Sequence, residues 1–238
     1  MNPDSPFPLF KAPLDPGYHA AHVCTVCRRG GAPRLSLADS DHLVTPCRRC
    51  GEPMGLRVGY QDTPCPRCGE FNLWPSDVPT EEAAVCFDCL VGGRAAISHA
   101  SELGHIEWPD AVRGLVAGGS EAVARREGLE LWTDEWGPPT PYVKAPAPAL
   151  MELLRTPRHP GRQSEHWPIH CGRFRAFLGH WGQSDFDRHA AGRGREWFEE
   201  HLEPSSGAGW DWLGDDFAES TVYQCLNCLR FIVYVDTD

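Results

Sequence analysis

Cysteine spacing constrains this chain more than any other feature: five Cys-x-x-Cys pairs occur, at Cys24/Cys27, Cys47/Cys50, Cys65/Cys68, Cys86/Cys89 and Cys225/Cys228. Each pair offers two thiolates spaced to hold one side of a tetrahedral ion, so the pattern predicts a multi-zinc protein. The eleventh cysteine, Cys171, follows His170 directly. A fully disulfide-bonded framework would leave one thiol over, and 238 residues are enough to bury a core without such staples.

The first four knuckles lie within 66 residues. All-thiolate sites built from them are closed, with no position for water or substrate, and their binding energy is largely folding energy. Cys47-Arg-Arg-Cys50-Gly51 and Cys65-Pro-Arg-Cys68-Gly69 are near copies separated by 14 residues, which reads as a zinc ribbon. A glycine after the second cysteine permits the positive φ that turns amide groups towards the sulfurs. Two pairing schemes fit the spacing. Sequential pairing joins Cys24/Cys27 to Cys47/Cys50 and Cys65/Cys68 to Cys86/Cys89, across gaps of 19 and 17 residues. Nested pairing joins the two copies and leaves Cys24/Cys27 to meet Cys86/Cys89 around them.

With 24 glycines and 22 prolines the chain is expected to be rich in turns and short elements. The expected fold class is α+β, with small zinc-ribbon and β-hairpin elements and short helices. Residues 1–100 form the expected zinc-ribbon region, with a ribbon over about 45–75. Residues 101–148 read as a helical segment and a proline-rich linker, Ala111, Val112, Leu115 and Val116 having helical spacing, as do Ala122 and Val123. Small residues from Leu90 to Ile97 suit a helix leaving the Cys86/Cys89 knuckle. Residues 149–238 read as an α+β region: a short helix over Ala149–Arg155 stopped by Pro157, a helix from Gly194 with Trp197, Phe198, His201 and Leu202 on its core-facing stripe, and strands over 220–224 and 229–235 that enclose the last knuckle.

Met1 to Phe10 contains neither a basic n-region nor an apolar h-region, and no run of about 18 apolar residues occurs, so a cytoplasmic protein without a membrane span is expected. The formal charge is -11, from 22 Lys and Arg against 33 Asp and Glu. Two Zn(Cys)4 centres and one Zn(Cys)3His centre would take it to roughly -16. That balance repels phosphate backbones and attracts basic partners.

Several segments together resemble the CbrC-like family of bacterial proteins, which is linked in name to colicin tolerance. They are Pro6-Phe-Pro-Leu-Phe10, the Cys24/Cys27 knuckle, Cys86-Phe-Asp-Cys89-Leu-Val-Gly-Gly-Arg-Ala-Ala96, Arg155-Thr-Pro157, Gln163, Trp167, His170-Cys171, Phe177-Leu-Gly179, Cys225-Leu-Asn-Cys228 and the acidic pair Asp236 and Asp238. The resemblance makes the Cys47 to Cys68 segment an insertion, which favours nested pairing. It also makes His170 and Cys171 the leading partners of Cys225/Cys228, for a total of two to three zinc ions. Adjacent strand residues point to opposite faces, so both can ligate only where the backbone turns. His166 or His180 could otherwise complete the site. Leu229 departs from the resemblance, which has glycine after the last cysteine.

No phosphate-binding glycine loop, zincin motif or deaminase motif is present, so binding rather than catalysis is expected. Sequence adjacency alone does not make His170 and Cys171 a base and nucleophile. The resemblance and the acidic charge point to a non-enzymatic protein of tolerance or immunity type that binds a basic toxin domain. The acidic group Asp211, Asp215, Asp216 and Glu219, with Trp210 and Trp212, reads as a solvated loop or a docking surface. Two alternatives remain open: nucleic-acid binding through Arg28, Arg29, Arg48, Arg49 and Arg67, which the net charge opposes, and a zinc hydrolase centred on Cys225, Cys228, Cys171 and His170.

Overall fold

A computed structural model describes residues 5–14, 23–31, 33–60, 63–132, 141–159, 166–204, 206, 208–214 and 218–237. Gln163, Asp215, Asp216, Asp238 and residues 137–140 of the proline-rich linker lie outside the described residues. The chain divides into two compact units, 14–158 and 1–13 with 159–238. Short helices and several small antiparallel sheets make it an α+β protein, as the turn-rich composition predicts.

Within 14–158, strand β1 (Arg34–Ser36) pairs with β4 (Ala84–Cys86), setting Arg34 opposite Cys86. Strand β2 (His42–Pro46) forms a hairpin with β3 (Pro53–Arg57), the turn between them being the Cys47/Cys50 knuckle. Helix α1 (Phe87–Val91) leaves Cys86 but lasts five residues, and β5 (Ala95–Ala96) then pairs with β2. The longer helix expected up to Ile97 does not form. Gly93, at φ 67°, turns the chain, and a Cβ there would meet the Arg155 guanidinium at 2.8 Å.

Residues 99–144 hold a second departure. A five-stranded antiparallel sheet runs β6 (His99–Ser101), β7 (Gly104–Ile106), β8 (Leu115–Ala117), β10 (Tyr142–Lys144) and β9 (Glu130–Trp132). Leu115 and Val116, expected on a helix, are buried in β8. Gly114 and Gly118 have positive φ on either side and confine helix α2 to Trp108–Ala111. Such a short apolar run has no periodicity that separates a buried strand from a buried helix. Helix α3 (Glu121–Glu127) does form, capped by the Ser120 hydroxyl at 3.4 Å from the Val123 amide and stopped by left-handed Gly128. Helix α4 (Ala147–Leu154) buries Ala149, Leu150, Leu153 and Leu154 at i, i+3 and i+4 spacing.

One carboxylate ties this unit together. Asp41, fully buried, accepts the Ala38 amide at 2.7 Å and the Ser98 amide at 3.1 Å, and pairs with the Arg158 guanidinium.

In the other unit, β13 (Ala176–His180), β14 (Ala218–Gln224) and β15 (Phe231–Thr237) form an antiparallel sheet. Helices α5 (Gln183–His189) and α6 (Gly194–His201) pack on one face over Leu178, Phe186, Phe198, Val222 and Val233. Trp181, Trp197 and Trp210 flank that core, whereas Trp212 is half exposed. The N-terminal segment lies beside β13: Lys11 donates to the Phe177 carbonyl and the Phe177 amide to that of Leu9, both at 2.8 Å. Phe7, Leu9 and Phe10 are buried there. Buried Trp167 packs near His159, whose Nε2 lies 2.7 Å from the Tyr223 hydroxyl. A two-stranded ribbon, β11 (Ile169–His170) with β12 (Arg173–Phe174), completes this unit.

Candidate metal centres

Four of the five knuckles share one backbone geometry. The first cysteine's amide donates to the carbonyl five residues on, and its carbonyl accepts the amide four residues on. For Cys47 the distances are 2.7 Å to the Glu52 carbonyl and 2.9 Å from the Gly51 amide, and Cys65, Cys24 and Cys225 repeat the pattern within 3.1 Å. The residue after the second cysteine is left-handed each time: Gly51 (φ 77°), Gly69 (74°), Arg28 (58°) and Leu229 (62°). This turn directs backbone amides towards sulfur, as the Arg49 amide shows at 3.4 Å from Cys47 Sγ. Cys86 and Cys89 differ, because Cys86 ends a strand and Cys89 sits in helix α1.

A side chain other than glycine in the left-handed region costs roughly 1–2 kcal/mol. Leu229 is 62% exposed, so little packing offsets that strain. Leu229→Gly is therefore expected to stabilise the metal-loaded protein by about 0.5–1 kcal/mol, after allowance for the freer unfolded chain. Its urea midpoint should rise, and a lower midpoint would show that the leucine is held by contacts.

The structure gathers the predicted ligands into three tetrads, Cys24/Cys27/Cys86/Cys89, Cys47/Cys50/Cys65/Cys68 and His170/Cys171/Cys225/Cys228, whose donor atoms lie within 4.8 Å of one another in each case. Pairing is thus nested. The β1–β4 ladder carries Cys86 back to the first knuckle, where its amide donates to Cys24 Sγ at 3.3 Å. Sulfur separations are 3.8 Å for Cys24–Cys89, 3.6 Å for Cys27–Cys86, 3.5 Å for Cys47–Cys68 and 3.6 Å for Cys50–Cys65. Four thiolates about 2.3 Å from a tetrahedral ion would stand roughly 3.8 Å apart, so both all-cysteine clusters fit such an ion. All eleven cysteines are free thiols.

The third tetrad depends on a turn. Cys171 (φ 54°) and Gly172 (φ 70°) are both left-handed and close the two-residue turn between β11 and β12. That turn swings Cys171 round to the side of His170, resolving the opposed faces expected of strand neighbours. His170 Nδ1 lies 3.1 Å from Cys171 Sγ and 3.5 Å from Cys228 Sγ. His166 and His180 are elsewhere: His180 meets Thr221 and Glu219, and His166 packs against Tyr234. With four protein donors, a tetrahedral ion here has no open position for water. The sequence-level sign of this geometry is the glycine after Cys171, since paired left-handed residues favour glycine.

Crowded thiols titrate unequally. In the inner tetrad the Cys50 amide leads other hydrogen bonds that outweigh desolvation and lower Cys47 to about 7. Cys68, although the Glu70 amide opposes it, is pushed up to about 12 by desolvation and by the Cys47, Cys50 and Cys65 thiols. In the outer tetrad, burial of Cys27 is outweighed by the Arg29 amide and guanidinium and the Cys24 and Cys86 thiols, which bring it to about 6. Burial raises Cys89. In the third, desolvation and then Cys228 and Cys225 raise Cys171 to about 11, while the Arg230 amide lowers Cys228.

Metal binding must expel the protons that the raised thiols keep, so affinity falls as pH falls. Above pH 7 Cys47 has already lost its proton; below it one more must leave on binding. The pH dependence at the inner centre is therefore expected to steepen by about one proton below pH 7. Competition with a chromophoric chelator between pH 8 and 5 checks this, and a flat profile would contradict it.

The knuckle arginines proposed to meet nucleic acid are partly neutralised. Arg28 pairs with Asp77 at 3.1 Å, Arg29 with Asp88 at 3.7 Å and Arg67 with Glu52 at 3.9 Å. Among the described residues no helix is long and apolar enough to cross a membrane.

No curated protein and no solved structure matches the chain. A family profile does, over residues 57–237, from within the inner tetrad through Cys65, Cys68, Cys86, Cys89 and the whole third tetrad. Covering well over half of the sequence, that match shows that the chain belongs to the uncharacterised protein family UPF0167.

Proposed function

We propose that this chain is a non-enzymatic, zinc-stabilised binding protein of tolerance or immunity type, which neutralises a basic bacterial toxin domain in the cytoplasm by direct contact. The observation that carries this reading is the closure of all three tetrads by four protein donors each, which gives the metal a structural task and leaves function to the surface. Zinc suits the donor sets, because tetrahedral sites of four thiolates, or of three thiolates and an imidazole, are its usual structural environment. The resemblance to CbrC-like proteins, with the inner tetrad read as an inserted ribbon, supplies the toxin-tolerance class, and nested pairing is compatible with that insertion.

A net charge of -11 before any metal binds would draw a basic partner by long-range attraction. Nucleic acid is the weaker partner, since three of the five knuckle arginines already face a carboxylate. The test is co-expression with toxin domains encoded beside the native gene, followed by calorimetry of each purified pair at two salt concentrations. Protection of the cell together with salt-weakened binding supports the reading. Absence of protection against every such domain would sink it.

A further inference from the structure

The three tetrads differ most in how far solvent reaches their sulfurs. In the outer tetrad Cys24, Cys86 and Cys89 are buried and Cys27 is partly so; in the inner one Cys47 and Cys65 are buried and Cys50 and Cys68 partly so. In the third, Cys225 alone is buried, and both Cys171 and Cys228 are exposed. Those exposed sulfurs come from two separate turns. Cys171 tips a ribbon with only two residue pairs, Ile169↔Phe174 and His170↔Arg173, and Cys228 precedes the left-handed Leu229. Each tip includes a left-handed residue other than glycine, a conformation that relaxes readily once the metal no longer holds it.

We infer that Cys171 and Cys228 are a peroxide-modification site, oxidised to a Cys171–Cys228 disulfide with release of the third zinc while the two N-terminal centres stay loaded. This inference rests on the reading of the third tetrad as a zinc centre. An exposed thiolate, here that of Cys228, attacks one oxygen of hydrogen peroxide; the O–O bond breaks, a sulfenic acid forms, and the departing hydroxide takes a proton to become water. Cys171 sulfur then attacks Cys228 sulfur and the S–S bond forms as the S–O bond breaks, again releasing hydroxide that is protonated to water. Two thiolates give up two electrons, and one peroxide and two protons become two waters. The zinc keeps only His170 and Cys225, too few donors to hold it, and departs as Zn2+. The other two centres have no fully exposed sulfur, their cysteines being buried or partly buried, so the same attack reaches them less readily.

The experiment uses the full-length zinc-loaded protein, with its metal content measured before hydrogen peroxide is added. Release is followed with a chromophoric chelator, and disulfides are mapped by mass spectrometry of a non-reduced digest. One zinc equivalent should leave about tenfold faster than the others, with Cys171 and Cys228 in the linked peptides, and thiol reductant plus zinc should restore the starting content. Cys171→His, which keeps a ligating side chain, should retain the third zinc, form no disulfide and slow its release. A starting content of three zinc ions with uniform release, or with disulfides in the N-terminal centres, overturns this inference alone. A starting content that lacks the third zinc, with Cys171 and Cys228 freely alkylated, overturns the reading beneath it as well.

Discussion

Removal of metal by excess strong chelator is expected to unfold residues 24–96, abolishing their protection from hydrogen exchange. Structural zinc contributes on the order of 10–16 kcal/mol of apparent binding energy per site, as much as or more than the roughly 5–15 kcal/mol that holds a typical domain. At the two clusters the sulfurs make up much of the packing, beside buried neighbours such as Leu43, Leu56, Val85 and Leu90. β1 and β4 are three residues each, and Cys24, Cys86 and Cys89 are themselves among the buried core. Around the inner tetrad the core consists of Cys47, Met54 and Cys65 with Cys50 and Cys68 against them, so without an ion four of its five members are thiols. The sheet β13–β15 should keep protection longer. Its core of Leu178, Phe186, Phe198, Val222 and Val233 lies under α5 and α6 and contains no ligand. Exchange that is unchanged by the chelator over 24–96 would show that the tetrads are not structural.

Asp41→Ala is expected to have the next largest effect, destabilising the protein by about 3–5 kcal/mol even when fully metal-loaded. The fully buried Asp41 carboxylate is the partner of the Ala38 and Ser98 amides and of the Arg158 guanidinium. Alanine would leave that guanidinium two-thirds buried without its carboxylate and the Ser98 amide buried without this acceptor. The loss would be felt at the starts of β2 and β6, each one residue from this network. Urea unfolding with saturating zinc checks it; a change below about 1 kcal/mol would mean that water replaces the carboxylate at little cost.

The candidate metal ligands are legible in the sequence because their chemistry is local. Two cysteines with two residues between them, followed by Gly51 or Gly69, specify a turn and a half-site together. Pairing is less local. Gaps of 19 and 17 residues allow either scheme, and what decides between them is the pairing of β1 with β4, an interaction between segments about 50 residues apart. His170 and Cys171 show the same limit on a smaller scale: strand alternation separates them, and only the left-handed turn at Cys171-Gly172 brings both to one ion. Leu115 and Val116, expected on a helix, form a strand for another reason. Three residues between two glycines, only Leu115 and Val116 of them buried, carry no period, and hydrogen bonding to β10 and β7 makes them a strand. The Asp41–Arg158 pair spans 117 positions and has no signal in a single sequence.

Metal content with X-ray absorption at the zinc edge, measured on the protein purified under reducing conditions, tests the three-centre arrangement most directly. The tetrads predict three zinc ions per chain, bound by eleven sulfurs and one imidazole nitrogen in all, with sulfur at about 2.3 Å. Two ions or fewer, a spectrum dominated by oxygen, or disulfides among the eleven cysteines would contradict it.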